Sequence, residues 1–441
     1  MNKKTMYAVM MVAIILLASV SAVTFMMLND KDDKVYETGR LVIYGNANND
    51  DFLDERDVSF IEGIVDGSTE WNKEDYPFAD TNTDGKITDA DVELLKKFLK
   101  KETSKMFYYD YAGTIKHITY PITGKLAVHY NYGLDAAIIL GCYDRVVGAT
   151  NNVLTTSSNT DTRYPGIKSM VNVGVPNTDP EALLKAEKDH GIKAVFGIGE
   201  AYVTDTQRQM AEAGSSMDVI TINTSAYRGK SCDYIGGIIT LGVMLGCEEN
   251  AKKYVDFCDR TLEKIGDRTK NLDKYTLVVP HNTSNAVDTA IRTSDSVGYV
   301  AGNIFTLSKL PLEDLFAGSG SRNGVEIETI ITMDPDVIIF STWAYITDSM
   351  TYVEAQAEFE KMANFFSHSG AYQNKMIFCA TFESFGTYSG MGALELLASF
   401  IWPDLFDEDE GWETLQEYYD NFTKLDVNVK EVGCFAPHKL Q

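Results

Sequence analysis

Two short runs of oxygen-bearing residues carry the most specific chemistry in this sequence. Residues 80–91 read Asp-Thr-Asn-Thr-Asp-Gly-Lys-Ile-Thr-Asp-Ala-Asp. With Asp80 as position 1, side-chain oxygens fall at positions 1, 3, 5, 9 and 12, on Asp80, Asn82, Asp84, Thr88 and Asp91. Gly85 stands at position 6, where a loop closing round an ion must turn sharply, and Lys86 offers its backbone carbonyl at position 7. A hard cation that takes about six to eight oxygen ligands is held by this spacing, and Ca2+ is the ion expected. A second run begins 34 residues earlier, with Asn46, Asn48, Asp50, Phe52 (through its carbonyl), Asp54 and Asp57 at the same positions. There Asn46 replaces the leading acid and Asp51 replaces the glycine, so weaker binding is expected. No Walker loop, dinucleotide fingerprint, nucleophile elbow or HExxH motif accompanies these runs, so an enzyme is not expected.

Each loop needs a helix to hold its last ligand. Val58, Ile61 and Ile64 follow the first loop at helical spacing, and Val92, Leu95, Phe98 and Leu99 follow the second. A pair of such loops, each ending in Asp and running into one helix, resembles type I dockerin modules over about residues 43–101. The resemblance implies one or two calcium ions and a cohesin-like partner contacted through loop positions 10 and 11. Those positions are Glu55 and Arg56, then Asp89 and Ala90, not the small hydroxyl pair usual in that family. A calcium-stiffened spacer is the alternative use of the module.

The chain before the loops reads as an export signal. Lys3 and Lys4 precede an uncharged run from Thr5 to Leu28, and Asp30, Asp32 and Asp33 follow it. About 20 apolar residues span a bilayer, and the charge asymmetry places the rest of the chain outside. The run is expected to be an uncleaved transmembrane anchor, with a signal peptide cleaved after Val20-Ser21-Ala22 as the alternative. The formal charge of −25 excludes nucleic acid as a partner. The six cysteines, Cys142, Cys232, Cys247, Cys258, Cys379 and Cys434, form no CxxC pair, and their pairing is not fixed by the sequence.

Beyond about residue 113 short apolar strands alternate with helices. Strands are expected at 125–130, 145–149, 194–198, 219–222, 276–280, 337–341 and 376–380. Helices are expected at 134–140, 180–190, 204–213, 326–333, 352–366, 393–401 and 412–422, with one long helix over 231–272. Loops after the strands then face a cleft between two lobes. Candidate ligand contacts there are Tyr130, Tyr132, Tyr202, Tyr227, Arg228, Arg292, Trp343, Tyr345, Phe385 and Tyr388, with His129 and His281 at strand ends. Rings give flat apolar surface and arginine pairs with carboxylate or phenolate.

Three stretches carry a second resemblance: Ala136–Val147; Asp179-Pro180-Glu181 leading to Ala194-Val195-Phe196; and Glu326-Ile327-Glu328 leading to Asp336-Val337-Ile338. In order and spacing they resemble the cobalamin, haem and ferric-siderophore class of periplasmic binding proteins, over about residues 113–425. The resemblance implies capture of a metal chelate (iron-siderophore, haem or corrinoid type) for an ABC permease and its ATPase. It also implies that Glu181 and Glu328 dock on permease arginines, with Glu326 as a neighbouring substitute for Glu328. The alternative is a calcium-dependent cell-surface scaffold or adhesion component.

The expected fold class is α/β: two Rossmann-like lobes joined by one long α-helix, preceded by a small all-α dockerin/EF-hand-like module and an N-terminal transmembrane helix. The expected division is 1–28 signal anchor or signal peptide, 29–40 spacer, 41–105 calcium module, 106–230 N-terminal lobe, 231–272 linking helix and 273–441 C-terminal lobe. The expected location is extracytoplasmic, anchored in the membrane through the N-terminal helix, or secreted if that segment is cleaved.

Overall fold

The computed structural model describes residues 40–174, 180–197, 204–224, 232–281, 290–294, 310–316, 322–342, 352–381, 388–431 and 435–437. Both loop motifs run directly into helices, Glu55–Asp66 and Asp89–Leu99. Asp54 and Thr88 cap them, and Asp57 and Asp91 reach back to the cap backbone to complete a reciprocal pair of bonds at each start. The apolar stripes turn inward: Val58 and Ile61 on one helix, Val92, Leu95 and Phe98 on the other.

An antiparallel hairpin follows that the sequence reading did not anticipate. Strand β1 (Ser104–Tyr109) pairs with β2 (Ile115–Tyr120) from Ser104↔Tyr120 to Tyr109↔Ile115. Asp110 shapes its turn by accepting from the backbone N–H groups of Ala112 and Thr114, at 3.0 and 2.8 Å. Met106 and Tyr108 on one strand, and Ile118 and Tyr120 on the other, point into the core.

The first lobe holds a five-stranded parallel sheet of β3 (Lys125–Val128), β4 (Val146–Ala149), β5 (Val171–Asn172), β6 (Ile192–Phe196) and β7 (Asp218–Val219), in the order β5-β4-β3-β6-β7. Helices Asn131–Ile139, Pro180–His190 and Thr204–Glu212 connect its strands. The second lobe holds a seven-stranded sheet of β8 (Tyr275–His281), β9 (Ala290–Ser294), β10 (Leu312–Asp314), β11 (Arg322–Glu326), β12 (Val337–Thr342), β13 (Ile377–Thr381) and β14 (Phe435–Pro437). Its order is β11-β9-β8-β12-β13-β14 with β10 on β8. The central β8, β12 and β13 are parallel, and antiparallel strands flank them.

The expected single linking helix is two helices, Tyr234–Leu245 and Glu248–Thr269. Gly246 breaks it: at φ 70° it adopts the left-handed conformation that closes a helix end, and its N–H returns to Gly242 and Val243 carbonyls. Apolar periodicity runs through the break, which is why spacing alone read one helix. The first helix is buried on every side, whereas the second buries one face, including Ala251, Tyr254, Val255, Cys258 and Ile265.

The loop module and the lobes share one core. Leu41, Val42 and Ile43 pack in the same cluster as Leu95, Phe98, Tyr108, Ile222, Tyr234 and Ile235. The Tyr109 N–H donates to the Val42 carbonyl and the Tyr44 N–H to the Phe107 carbonyl, both at 3.0 Å. A side chain at Gly236 would meet the Arg40 carbonyl at 2.6 Å, so the chain entering the first loop lies directly on the buried helix.

One part of the expected fold class is overturned. Among the described residues no helix is long and apolar enough to cross a membrane. The transmembrane helix expected at residues 1–28 lies outside the described residues and is no part of the described fold. The membrane partner and the anchored location expected through that helix have no support among the described residues. The supported fold is two α/β lobes with a small loop-helix module built onto the first.

Candidate functional site

The two loops superimpose their bonding pattern. In the second loop Asp80 accepts from the N–H groups of Asp84 (3.1 Å) and Gly85 (2.8 Å), and Asn82 accepts from Asp84 (2.8 Å). Asp84 accepts from Lys86, at 2.9 Å. Asp91 closes the loop, one oxygen taking the Asn82 N–H at 3.0 Å and the other the Thr88 N–H at 2.9 Å. In the first loop Asp57 does the same with Asn48 (3.2 Å) and Asp54 (2.9 Å), while Asp50 accepts from Phe52 (2.8 Å). Position 4 is left-handed in both, Asn49 at φ 57° and Thr83 at φ 61°. At position 6 Gly85 has φ 87°, and Asp51 stays outside that region.

Burial separates the loops electrically. Desolvation pushes the Asp57 carboxyl up to about 7, against the N–H groups of Asp54 and Asn48 that favour its charged form. Asp50 and Asp91 are also raised, first by burial.

Two arginines organise the first loop: Arg40, expected only as the end of a spacer, and Arg56, expected only as a partner contact. Arg40 bonds Asp51 through Nε at 2.9 Å and reaches Asp259 on helix Glu248–Thr269 at 2.8 and 3.0 Å. Arg56 bonds Asp54 at 2.8 to 3.2 Å and lies 3.2 Å from Asp50, so its guanidinium sits on two of the expected ion ligands. The only local signals are a base just before the loop and another at position 11. The Phe52 ring lies beneath both Arg56 and Lys252, each 5.5 Å from its centroid.

The donor chemistry of both loops fits a hard cation: every candidate donor is oxygen, and the buried Asn46 Oδ1 has no hydrogen-bond partner. Its amide nitrogen instead donates to the carbonyls of Leu41 (2.9 Å) and Asp50 (2.7 Å), which fixes the oxygen's direction. The carboxylates themselves are turned onto backbone N–H groups. Among the described residues no group of three or more His, Cys, Asp or Glu side chains converges as a metal centre.

The lobes place the other candidates unevenly. The chain runs outward from β3 to β4 and β5 and then crosses back to β6 on the other side of β3, so the order reverses between β3 and β6 and the crevice for a ligand lies beyond their ends. Tyr130 stands there, half-buried at the start of helix Asn131–Ile139, and Tyr132 is buried within that helix. The His129 imidazole is buried with no partner on either nitrogen, and burial pushes it down to about 4. Tyr388 is a core residue: its carbonyl accepts from the Tyr254 hydroxyl at 2.9 Å, and its ring meets Tyr234 and Tyr254 edge-on. Tyr202, Tyr227, Arg228, Trp343, Tyr345 and Phe385 lie outside the described residues, as do the side chains of Arg292 and His281.

Glu181 and Glu328 occupy matching places. Each is exposed in the first turn of the helix that leads into a central strand, Pro180–His190 before β6 and Ile327–Met333 before β12. Glu326 is exposed just ahead of the second helix.

Residues 195–383 match the family described as periplasmic binding protein, and residues 44–100 match the dockerin type I domain. Among solved structures, a TroA-like periplasmic binding protein from Veillonella parvula is similar at 15% identity and TM-score 0.58, over 76% of this chain and 99% of that one. A molybdate periplasmic binding protein of a Haemophilus influenzae ABC transporter is similar at 16% and TM-score 0.53, over 72% and 97% of the two chains. A periplasmic solute binding protein from Veillonella parvula gives 18% and TM-score 0.53, over 72% and 93%. No curated protein matches the sequence. The chain therefore has the periplasmic-binding fold of these structures, with one segment that matches the periplasmic binding protein family and another that matches the dockerin type I domain.

Proposed function

We propose that this protein captures a metal chelate of the iron-siderophore, haem or corrinoid type outside the cytoplasm and delivers it to an ABC permease. The observation that carries the delivery step is the pair Glu181 and Glu328, exposed at equivalent helix starts in the two lobes. Two exposed carboxylates, one on each lobe, steer a docking partner and set its register on a basic surface. Tyr130, at the mouth of the crevice, is the described residue best placed to meet the ligand, and Tyr388 is set aside as core. Reversing both glutamates to lysine abolishes uptake and leaves ligand affinity unchanged on this reading; lost affinity would falsify the docking role. The ligand class is read by a thermal-shift screen of the full chain against ferric siderophores, haem, corrinoids and free metal ions. A ligand at a hundred times its dissociation constant adds about 2.7 kcal/mol.

Calcium in the loops completes the proposal. Asp80, Asn82, Asp84, Lys86 (carbonyl), Thr88 and Asp91 hold the stronger site. Asn46, Asn48, Asp50, Phe52 (carbonyl), Asp54 and Asp57 form the weaker one. The ion gathers carboxylates now spent on backbone N–H groups, so its role is to stiffen the module against the first lobe. A scaffold role through a cohesin-like partner remains a second reading, because Glu55, Arg56, Asp89 and Ala90 stay exposed although the module shares its core with the lobes. Binding of a cohesin panel in calcium, abolished by chelator, supports it; no binding sinks it.

A further inference from the structure

The break between helices Tyr234–Leu245 and Glu248–Thr269 brings together two cysteines more than a hundred residues apart in sequence, Cys142 and Cys247. Cys142 follows helix Asn131–Ile139, and Cys247 is the residue just before Glu248. Two bonds bracket the pair. The Asn250 side chain donates to the Leu140 carbonyl at 3.1 Å, and Arg145 donates to the Leu245 carbonyl at 2.9 Å. Each segment is thus held on the other, two or three residues to either side of its cysteine. Close packing at Gly141 against Asn250, and at Gly242 against Leu140, leaves no slack between them. These contacts place the two thiols beside each other, and the Cys247 thiol donates to the Leu245 carbonyl at 3.5 Å. Interaction with the Cys142 thiol, with Arg145 nearby, draws the half-buried Cys247 down to about 7, whereas the same interaction and burial raise Cys142. Both are free thiols here.

We propose that Cys142 and Cys247 form a redox-active pair that closes to a disulfide, Cys247 as the attacking thiolate and Cys142 as the resolving thiol. The oxidant is a small-molecule disulfide. Cys247 attacks one of its sulfurs and expels a thiolate, leaving a mixed disulfide on Cys247. Cys142 then loses its proton and attacks the Cys247 sulfur, expelling the second thiolate, which takes up that proton. Two protein thiols are oxidised and one external disulfide is reduced to two thiols. Thiolate fraction sets the rate of the first step and the approach of the second thiol sets the next. The bond fastens the first lobe to the junction of the two buried helices and closes a long loop of chain, the case in which a cross-link restricts the unfolded state most. The other described cysteines are placed apart from this site: Cys232 precedes the first helix, Cys258 is buried mid-helix among Tyr234 and Tyr254, and Cys379 lies in β13.

The test is peptide mapping of the full chain after oxidised glutathione, with free thiols alkylated and no reductant. The expected product joins the Cys142 and Cys247 peptides, two hydrogens lighter than their sum and cleaved by dithiothreitol, with a melting temperature raised by roughly 5 °C. Both cysteines still fully alkylated, or Cys142 joined to a different cysteine, overturns the proposal. In Cys142→Ser the mixed disulfide cannot resolve, so Cys247 retains glutathione. An unmodified Cys247 in that variant overturns its role as the attacking group, and the wild-type map stands whether or not the variant folds.

Discussion

The two candidate calcium loops share a turn and a closing aspartate, yet their side chains are used differently. In residues 80–91 the leading acid and the position-6 glycine are present, and Asp84, Gly85 and Lys86 face solvent. In residues 46–57 the leading acid is Asn46, and Asp51 is buried against Arg40, whose guanidinium continues to Asp259. Two of the remaining acids, Asp50 and Asp54, already face the Arg56 guanidinium. One loop holds its acids on its own backbone N–H groups. The other has become a structural joint whose charges are answered by arginines of the same chain. Repeated sequence therefore preserved the backbone and let tertiary packing redistribute the electrostatics.

The sharpest way to break this contrast is to remove the joint. Arg40→Ala leaves Asp51, whose side chain is 3% exposed, and the partly buried Asp259 without their shared cation. A buried ion pair broken on one side costs about 3 kcal/mol or more. Urea unfolding in calcium-free buffer is expected to show that loss, while Asp84→Ala in the exposed loop shows less than about 0.5 kcal/mol. Equal losses would mean that the first loop is no more structural than the second.

Ion removal is the next largest effect. On the proposed reading, calcium at a hundred times its dissociation constant is expected to stabilise the chain by about 2.7 kcal/mol, and chelator to reverse it. Asp80→Ala removes most of that response, because Asp80 leads the loop and anchors the Asp84 and Gly85 N–H groups. Asn46→Ala leaves most of the response in place. A calorimetric titration that loses the tighter event in the Asn46 variant reverses the assignment of the two loops.

How far the sequence showed this depends on distance along the chain. Helix Pro180–His190 was legible at both ends: proline fits a first helical turn, and Leu183 and Ala186 form its buried side. Asp54 and Thr88 were read only as oxygen donors at loop position 9, and their capping of the two helices came with the structure. The hairpin β1–β2 was hidden because Met106-Phe107-Tyr108-Tyr109 follows directly on the module's last helix, across the boundary drawn at 105, and no strand was expected before residue 125. Arg40 was placed in a spacer because its partner Asp259 is 219 residues away. The aromatic candidates show the same limit: a tyrosine near a strand end can face the crevice, as at Tyr130, or the core, as at Tyr388. Spacing reports the element, and only packing reports which side of it is empty.

Backbone tests the turn itself. Gly85→Ala puts a side chain at φ 87° with nothing within 4 Å of it, so the cost is conformational rather than steric. About 1 kcal/mol of lost stability is expected, together with weaker calcium binding. Asp51→Gly, which makes position 6 alike in the two loops, is expected to destabilise instead of improving the first loop, since it removes the acid that Arg40 holds. A gain in stability from Asp51→Gly would show that the turn, not the ion pair, governs that loop.

The smallest effect separates competition from geometry at the first site. Arg56 covers Asp50 and Asp54 while remaining about half exposed, with 49% of its side chain accessible. Such a pair contributes little to folding because solvent screens it, so Arg56→Gln should leave the unfolding midpoint nearly unchanged. Its charge, however, opposes a divalent ion at the same carboxylates. The substitution is expected to tighten the weaker calcium event by about threefold, with the gain shrinking as salt is raised from low to physiological strength. An unchanged affinity at every salt concentration would place the weakness in the missing leading acid, and Asn46→Asp in the Arg56→Gln background would then recover what the arginine change did not.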